Sequence, residues 1–118
     1  MSLDEWIDYT PTITAGSGTF TTVSTNYAKY KRVNGTTSVK FEINVTTNGT
    51  AATSIIVSAP FPALSTAVIN GFEYNALSKV TTGLIASGAS TFTVKFYDGG
   101  YPGGSSTINA MNGFYTTA

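Results

Sequence analysis

Ser38-Val39-Lys40-Phe41-Glu42-Ile43-Asn44-Val45 is the stretch that decides the fold. Val39, Phe41, Ile43 and Val45 fall on one face, and Ser38, Lys40, Glu42 and Asn44 on the other. A strict period of two is the pattern of a β-strand with one face on a core and one in water. Asn34-Gly35 precedes this strand and Asn48-Gly49 follows it, and each dipeptide signals a tight hairpin. The neighbouring strands then occupy Tyr27 to Val33 and Thr50 to Val57, so the centre of the chain reads as an antiparallel meander.

Working outward, Thr10-Pro11-Thr12-Ile13-Thr14-Ala15 reads as a first strand, with Pro11 at its start or on a sheet edge. Gly16-Ser17-Gly18 is a turn, and Thr19 to Ser24 resumes the strand pattern. Downstream, Pro60-Phe61-Pro62 stops pairing and carries the chain elsewhere. Asn70-Gly71 predicts a turn between Ala67–Ile69 and Phe72–Tyr74. Val80 to Ile85 and Thr91 to Tyr97 form a hairpin around Ala86-Ser87-Gly88-Ala89, with Phe92, Val94 and Phe96 pointing one way. A last strand, Ile108 to Thr116, is interrupted by Asn112-Gly113. Short strands about every 8 to 12 residues, with turn signals between them, predict an all-β fold, an antiparallel β-sandwich of jelly-roll-like type with short hairpins. The 118 residues fit a single domain over 6–118, with residues 1–5 an unstructured or expression-derived start.

Composition agrees with this and narrows the function. Charged residues make up 10% of the chain, well under the usual figure of about 25%. Thr, Ser, Asn and Gly take their place, which suits strands and turns rather than helices. Six basic and six acidic residues cancel, and the one basic cluster is Lys29, Lys31 and Arg32 with Lys40 nearby, which argues against nucleic acid as a partner. No apolar run approaches the length of a membrane span, about 18 residues, so no membrane insertion is expected. No basic region followed by an apolar stretch marks a secretory signal.

Cys and His are absent, which excludes disulfides, thiolate chemistry, a Ser-His-Asp site and Cys or His zinc ligation. No metal or cofactor is expected. The acids Asp4, Glu5, Asp8, Glu42, Glu73 and Asp98 are sparse, and none forms a motif for paired-carboxylate hydrolysis. Gly99-Gly100 and Gly103-Gly104 do not lie between a strand and a helix, where a phosphate loop works. The chain therefore reads as a non-enzyme.

Recognition is better served. The loop from Tyr97 to Ser106 sets Tyr97, Asp98 and Tyr101 on a Gly-rich backbone. Aromatic faces stack on the C–H surface of a sugar ring and carboxylates meet its hydroxyls, so these three are candidate carbohydrate ligands. The same residues also suit a plain Asp98-Gly99 turn with both tyrosines packed on the sheet rim. Trp6 and Tyr9 pose a similar choice between capping the domain's own core and packing at an oligomer interface.

Trp6 followed by Tyr9-Thr10-Pro11-Thr12-Ile13-Thr14-Ala15-Gly16-Ser17-Gly18-Thr19-Phe20 resembles a W-x-x-Y-T-P-T-x-T-x-G-x-G-T segment. That segment opens a domain common at the C-termini of bacteriophage virion proteins, including tail fibres, head fibres and collagen-like phage proteins. Tyr30-Lys31-Arg32, the strand with Val39 and Phe41, Thr47-Asn48-Gly49-Thr50-Ala51-Ala52, Tyr97-Asp98-Gly99 and Gly113-Phe114-Tyr115 continue the likeness in order. The resemblance implies a β domain on the virion surface, exposed outside the host cell. It further implies a homotrimer at the end of a fibre and binding of a host-surface glycan. It carries over no binding residues.

Overall fold

A computed structural model describes residues 5–118, so nearly all of the expected start at 1–5 lies outside the described residues. The strands are β1 (Ile7–Asp8), β2 (Ile13–Ser17), β3 (Thr22–Val33), β4 (Thr36–Thr47) and β5 (Ala52–Ser58), followed by β6 (Ala67–Glu73), β7 (Lys79–Ile85), β8 (Thr91–Phe96) and β9 (Thr107–Thr116). They form one antiparallel sheet in the order β1-β3-β4-β9-β6-β7-β8-β5-β2. The fold is all-β and a single domain, and the sheet curls into a half-barrel whose two halves face each other as layers. Among the described residues no helix is long and apolar enough to cross a membrane.

The deciding strand behaves as its pattern requires. Val39, Phe41, Ile43 and Val45 of β4 are fully buried. They face the opposite layer, where the Phe41 and Phe92 rings approach to 5.9 Å and Phe92 meets Tyr115 edge-on at 5.5 Å. Burying each such side chain is worth roughly 1.5–3 kcal/mol, and this shared interior holds the two layers together. Tyr9 closes the gap between the sheet's ends. Its amide bonds Ala28 O of β3, and its hydroxyl donates to Ser58 O of β5 at 3.2 Å.

Asn34-Gly35 makes the expected hairpin, with φ of 49° and 81° at the two turn residues. Other turn signals prove to be something else. Asn48-Gly49 does not fold β5 back on β4. It carries the chain to the other layer, where β5 pairs with β2 and β8, so the third strand of the expected meander is corrected. The expected break at Asn70-Gly71 is absent because β6 runs straight through it, and β9 likewise runs through Asn112-Gly113. Asn70 and Asn112 are partners across β6 and β9. Their glycines supply clearance at this seam: a Cβ on Gly113 would lie 2.5 Å from Ile69 Cγ2. Thr22–Ser24 and Tyr27–Val33 are parts of a single long strand that leaves out Thr19–Thr21, and a bulge between Thr25 and Tyr27 produces the apparent gap.

The real β6–β7 turn is built by Glu73, which is fully buried. Its carboxylate accepts hydrogen bonds from the amides of Asn75, Ala76, Leu77 and Ser78 in the turn, and from Ile108 in β9.

Candidate functional site

The loop after β8 is fixed from inside the domain. Asn109, fully buried in β9, donates from Nδ2 to Pro102 O at 3.0 Å. Asn48 Oδ1 accepts from the Tyr101 hydroxyl and from Gly104 N, while Asn48 Nδ2 donates to Ala51 O. One asparagine thus fastens the glycine-rich loop to the crossover between layers. Tyr101 packs on the core, and its ring leaves Gly103 no room for a side chain. Burial pushes the Tyr101 phenol above its ordinary value. Asn48→Ala is expected to cost about 2 kcal/mol and Tyr101→Phe about 1 kcal/mol. Urea denaturation measures both, and equal stability of all three proteins would show that the tether carries no load.

The three residues of the expected sugar site therefore take different places. Tyr97 is 67% exposed and borders an open cleft of about 310 Å³ with Thr82, Leu84, Thr93 and Lys95. Asp98 turns back on its own loop, accepting from Gly100 N at 2.9 Å and facing Lys79 Nζ at 3.4 Å. The Gly100 amide, helped by the Lys79 ammonium, holds its carboxyl below the usual range. Tyr101 is committed to Asn48, so of the three it is Tyr97 that presents a free face.

Trp6 and Tyr9 also separate. Tyr9 lies within the domain, edge-on to Tyr30 at 6.0 Å, and burial raises its phenol well above the ordinary value. Trp6 lies on the outer face of the sheet beside Lys31 and Lys40. Across an open cleft from it stands Phe114, 69% exposed. Sequence reading missed Phe114 because it took Asn112-Gly113 as a break. Uninterrupted alternation from Met111 through Gly113 to Tyr115 would have put Asn112 and Phe114 on the wet face.

The outer face of the β6–β7 ribbon is apolar to an extent the sequence reading did not register. Val68 faces Leu84 and Phe72 faces Val80 across the ladder, all four exposed. Tyr97 continues the second pair, because its amide bonds Val80 O. The described acids are largely engaged. Asp8 pairs with Lys29 at 3.1 Å, Glu42 with Asn26, Glu73 with its ring of amides, and Asp98 with Gly100 and Lys79. Among the described residues no group of three or more carboxylates comes together to hold a metal.

Comparison of the chain with models of protein families, with curated proteins and with solved structures returns no match in any of the three.

Proposed function

We propose that this chain is a non-enzymatic fibre-tip domain of a bacteriophage virion, displayed outside the host cell, that forms homotrimers and binds a host-surface carbohydrate. The observation that carries the binding role is Tyr97. This residue is 67% exposed and shares its cleft with Thr82, Thr93 and Lys95. An aromatic face with hydrogen-bonding groups at its edge is what a sugar ring requires. The Asn48 and Asn109 tethers support the same reading, since a loop already ordered loses little entropy on binding. Engagement of most described acids in structure supports binding without turnover.

Tyr97→Ala is expected to abolish binding on a glycan array and to host cells, with an unchanged melting curve. A wild-type protein blank in both assays overturns the carbohydrate role.

A second reading is a purely structural trimerisation or decoration module. It draws on the exposed pairs Val68–Leu84 and Phe72–Val80, which flank the polar pair Asn70–Thr82, since exposed apolar side chains gathered on one face are the usual mark of a contact surface. Light scattering decides the assembly: a trimer that Val80→Lys dissociates places the contact on this face, and a monomer at high concentration removes the reading.

A further inference from the structure

The outer face of β3, β4 and β9 carries an open cleft of about 380 Å³, with Trp6 at one side, Phe114 at the other, and Lys31, Ser38, Lys40 and Asn112 along it. Register brings these residues together. Lys31 faces Ser38 across β3–β4 and Ser38 faces Phe114 across β4–β9, while Lys40 faces Asn112 in the adjoining row. Lys40 Nζ lies 4.5 Å and Lys31 Nζ 4.9 Å from the centre of the Trp6 ring. Neither lysine has a carboxylate partner among the described residues, whereas Lys29 in the adjoining row takes Asp8. Two cations with no carboxylate partner among the described residues, gathered round one indole, make a local positive field in a chain of zero net charge.

We propose that this cleft binds an acidic polysaccharide through a uronate unit. The pyranose ring lies between Trp6 and Phe114, whose faces take its C–H surface. Its carboxylate meets the ammonium groups of Lys31 and Lys40, and its hydroxyls reach Ser38 Oγ and the Asn112 amide. Binding exchanges a lysine's contact with the indole for a charge-assisted hydrogen bond to a carboxylate, which is the stronger interaction. A neutral sugar offers no such exchange. A nucleic acid is disfavoured because phosphates repeat along a strand and need a track of cations, whereas this cleft holds two, bordered by the Lys29–Asp8 ion pair. The inference rests on the carbohydrate reading above for its ligand class alone, since Tyr97 lies outside the cleft.

Trp6 is the single tryptophan, so its fluorescence reports on this cleft directly. The full chain is titrated with a short oligogalacturonate, with its methyl ester, and with an oligothymidylate of equal length. The expected result is a saturable change in Trp6 emission with oligogalacturonate and little with the ester. The Lys31→Gln/Lys40→Gln double variant should weaken binding roughly tenfold. Phe114→Ala should weaken it severalfold. These side chains lie on the wet face, and unchanged melting curves confirm that the variants fold. No saturable change, equal affinity for the ester, tighter binding of oligothymidylate, or an unaltered double variant each overturns the proposal. If Tyr97→Ala loses cell binding while the lysine variant binds oligogalacturonate like wild type, this cleft fails and the Tyr97 site stands. If the lysine variant loses oligogalacturonate while Tyr97→Ala still binds cells, the Tyr97 site fails and this cleft stands.

Discussion

Glu73→Gln should lower the melting temperature by roughly 10 °C, the equivalent of about 3 kcal/mol for a domain of this size. The carboxylate is fully buried and accepts from five backbone amides, including Asn75 N at 2.9 Å and Ile108 N at 2.8 Å. Glutamine keeps the shape but turns an NH₂ towards those N–H groups, leaving several partly buried donors unpaired. Glu73→Ala should cost more, because all five lose their partner. The effect is not confined to the turn. The bond to Ile108 ties the β6–β7 turn to β9, so the seam between the two halves of the sheet loosens as well. Circular dichroism melts check this, and a shift below about 3 °C would show that water or a rearranged turn replaces the carboxylate.

The same residue sets a dependence on acid. Burial pushes the Glu73 carboxyl up, but the amides of Ile108, Leu77, Asn75 and Ala76 together outweigh it and hold it below the ordinary value. A folded value below the unfolded one means stability that is complete above the unfolded pKa, about 4.3, and is lost as pH falls through the folded value. Wild type should therefore lose stability on acidification more steeply than Glu73→Gln. The gap between their melting temperatures should narrow from about pH 6 to about pH 3. A gap constant over that range would mean that the carboxyl titrates alike in the folded and unfolded chain, so that the amides do not favour its ionised form.

Individual strands were legible because their signal is local. The alternation at Ser38–Val45 and at Phe92–Phe96 needs no knowledge of the partner strand, and both bury the expected side chains. Partners were less legible, because one dipeptide serves two physical ends. Asn34-Gly35 is a hairpin, with positive φ at both residues. Asn70-Gly71 and Asn112-Gly113 have ordinary strand backbones, and their glycines answer to the crowding of one strand against another. Nothing within a few residues separates those uses. The candidate site divides the same way. The exposure of Tyr97 follows from its place at a strand end, whereas the fate of Tyr101 depends on Asn48, 53 positions away. The role of Trp6 likewise depends on lysines that only the β3–β4 register brings alongside it.

That crowding makes Gly71→Ala the second substitution of large effect, with an expected loss of about 3–5 kcal/mol. A Cβ at Gly71 would overlap Ala110 O and Met111 Sδ and lie 2.9 Å from Ala110 C. Two of these atoms are β9 backbone, so rotation of a side chain cannot relieve the contact. β6 would have to move off β9 along the ladder from Asn70–Asn112 to Glu73–Asn109, which is the join between the halves of the sheet. Gly88→Ala is the informative contrast. Gly88 has φ of 80° but open space around it, so that substitution should cost only about 1 kcal/mol of backbone strain. Equilibrium unfolding of the two variants separates crowding from conformation. Adding Met111→Ala to Gly71→Ala sharpens the test, because it removes the sulfur and leaves the Ala110 carbonyl in place. No recovery is expected. Recovery to near wild-type stability would locate the obstruction in the methionine, and would mean that the β6–β9 seam has slack between its backbones.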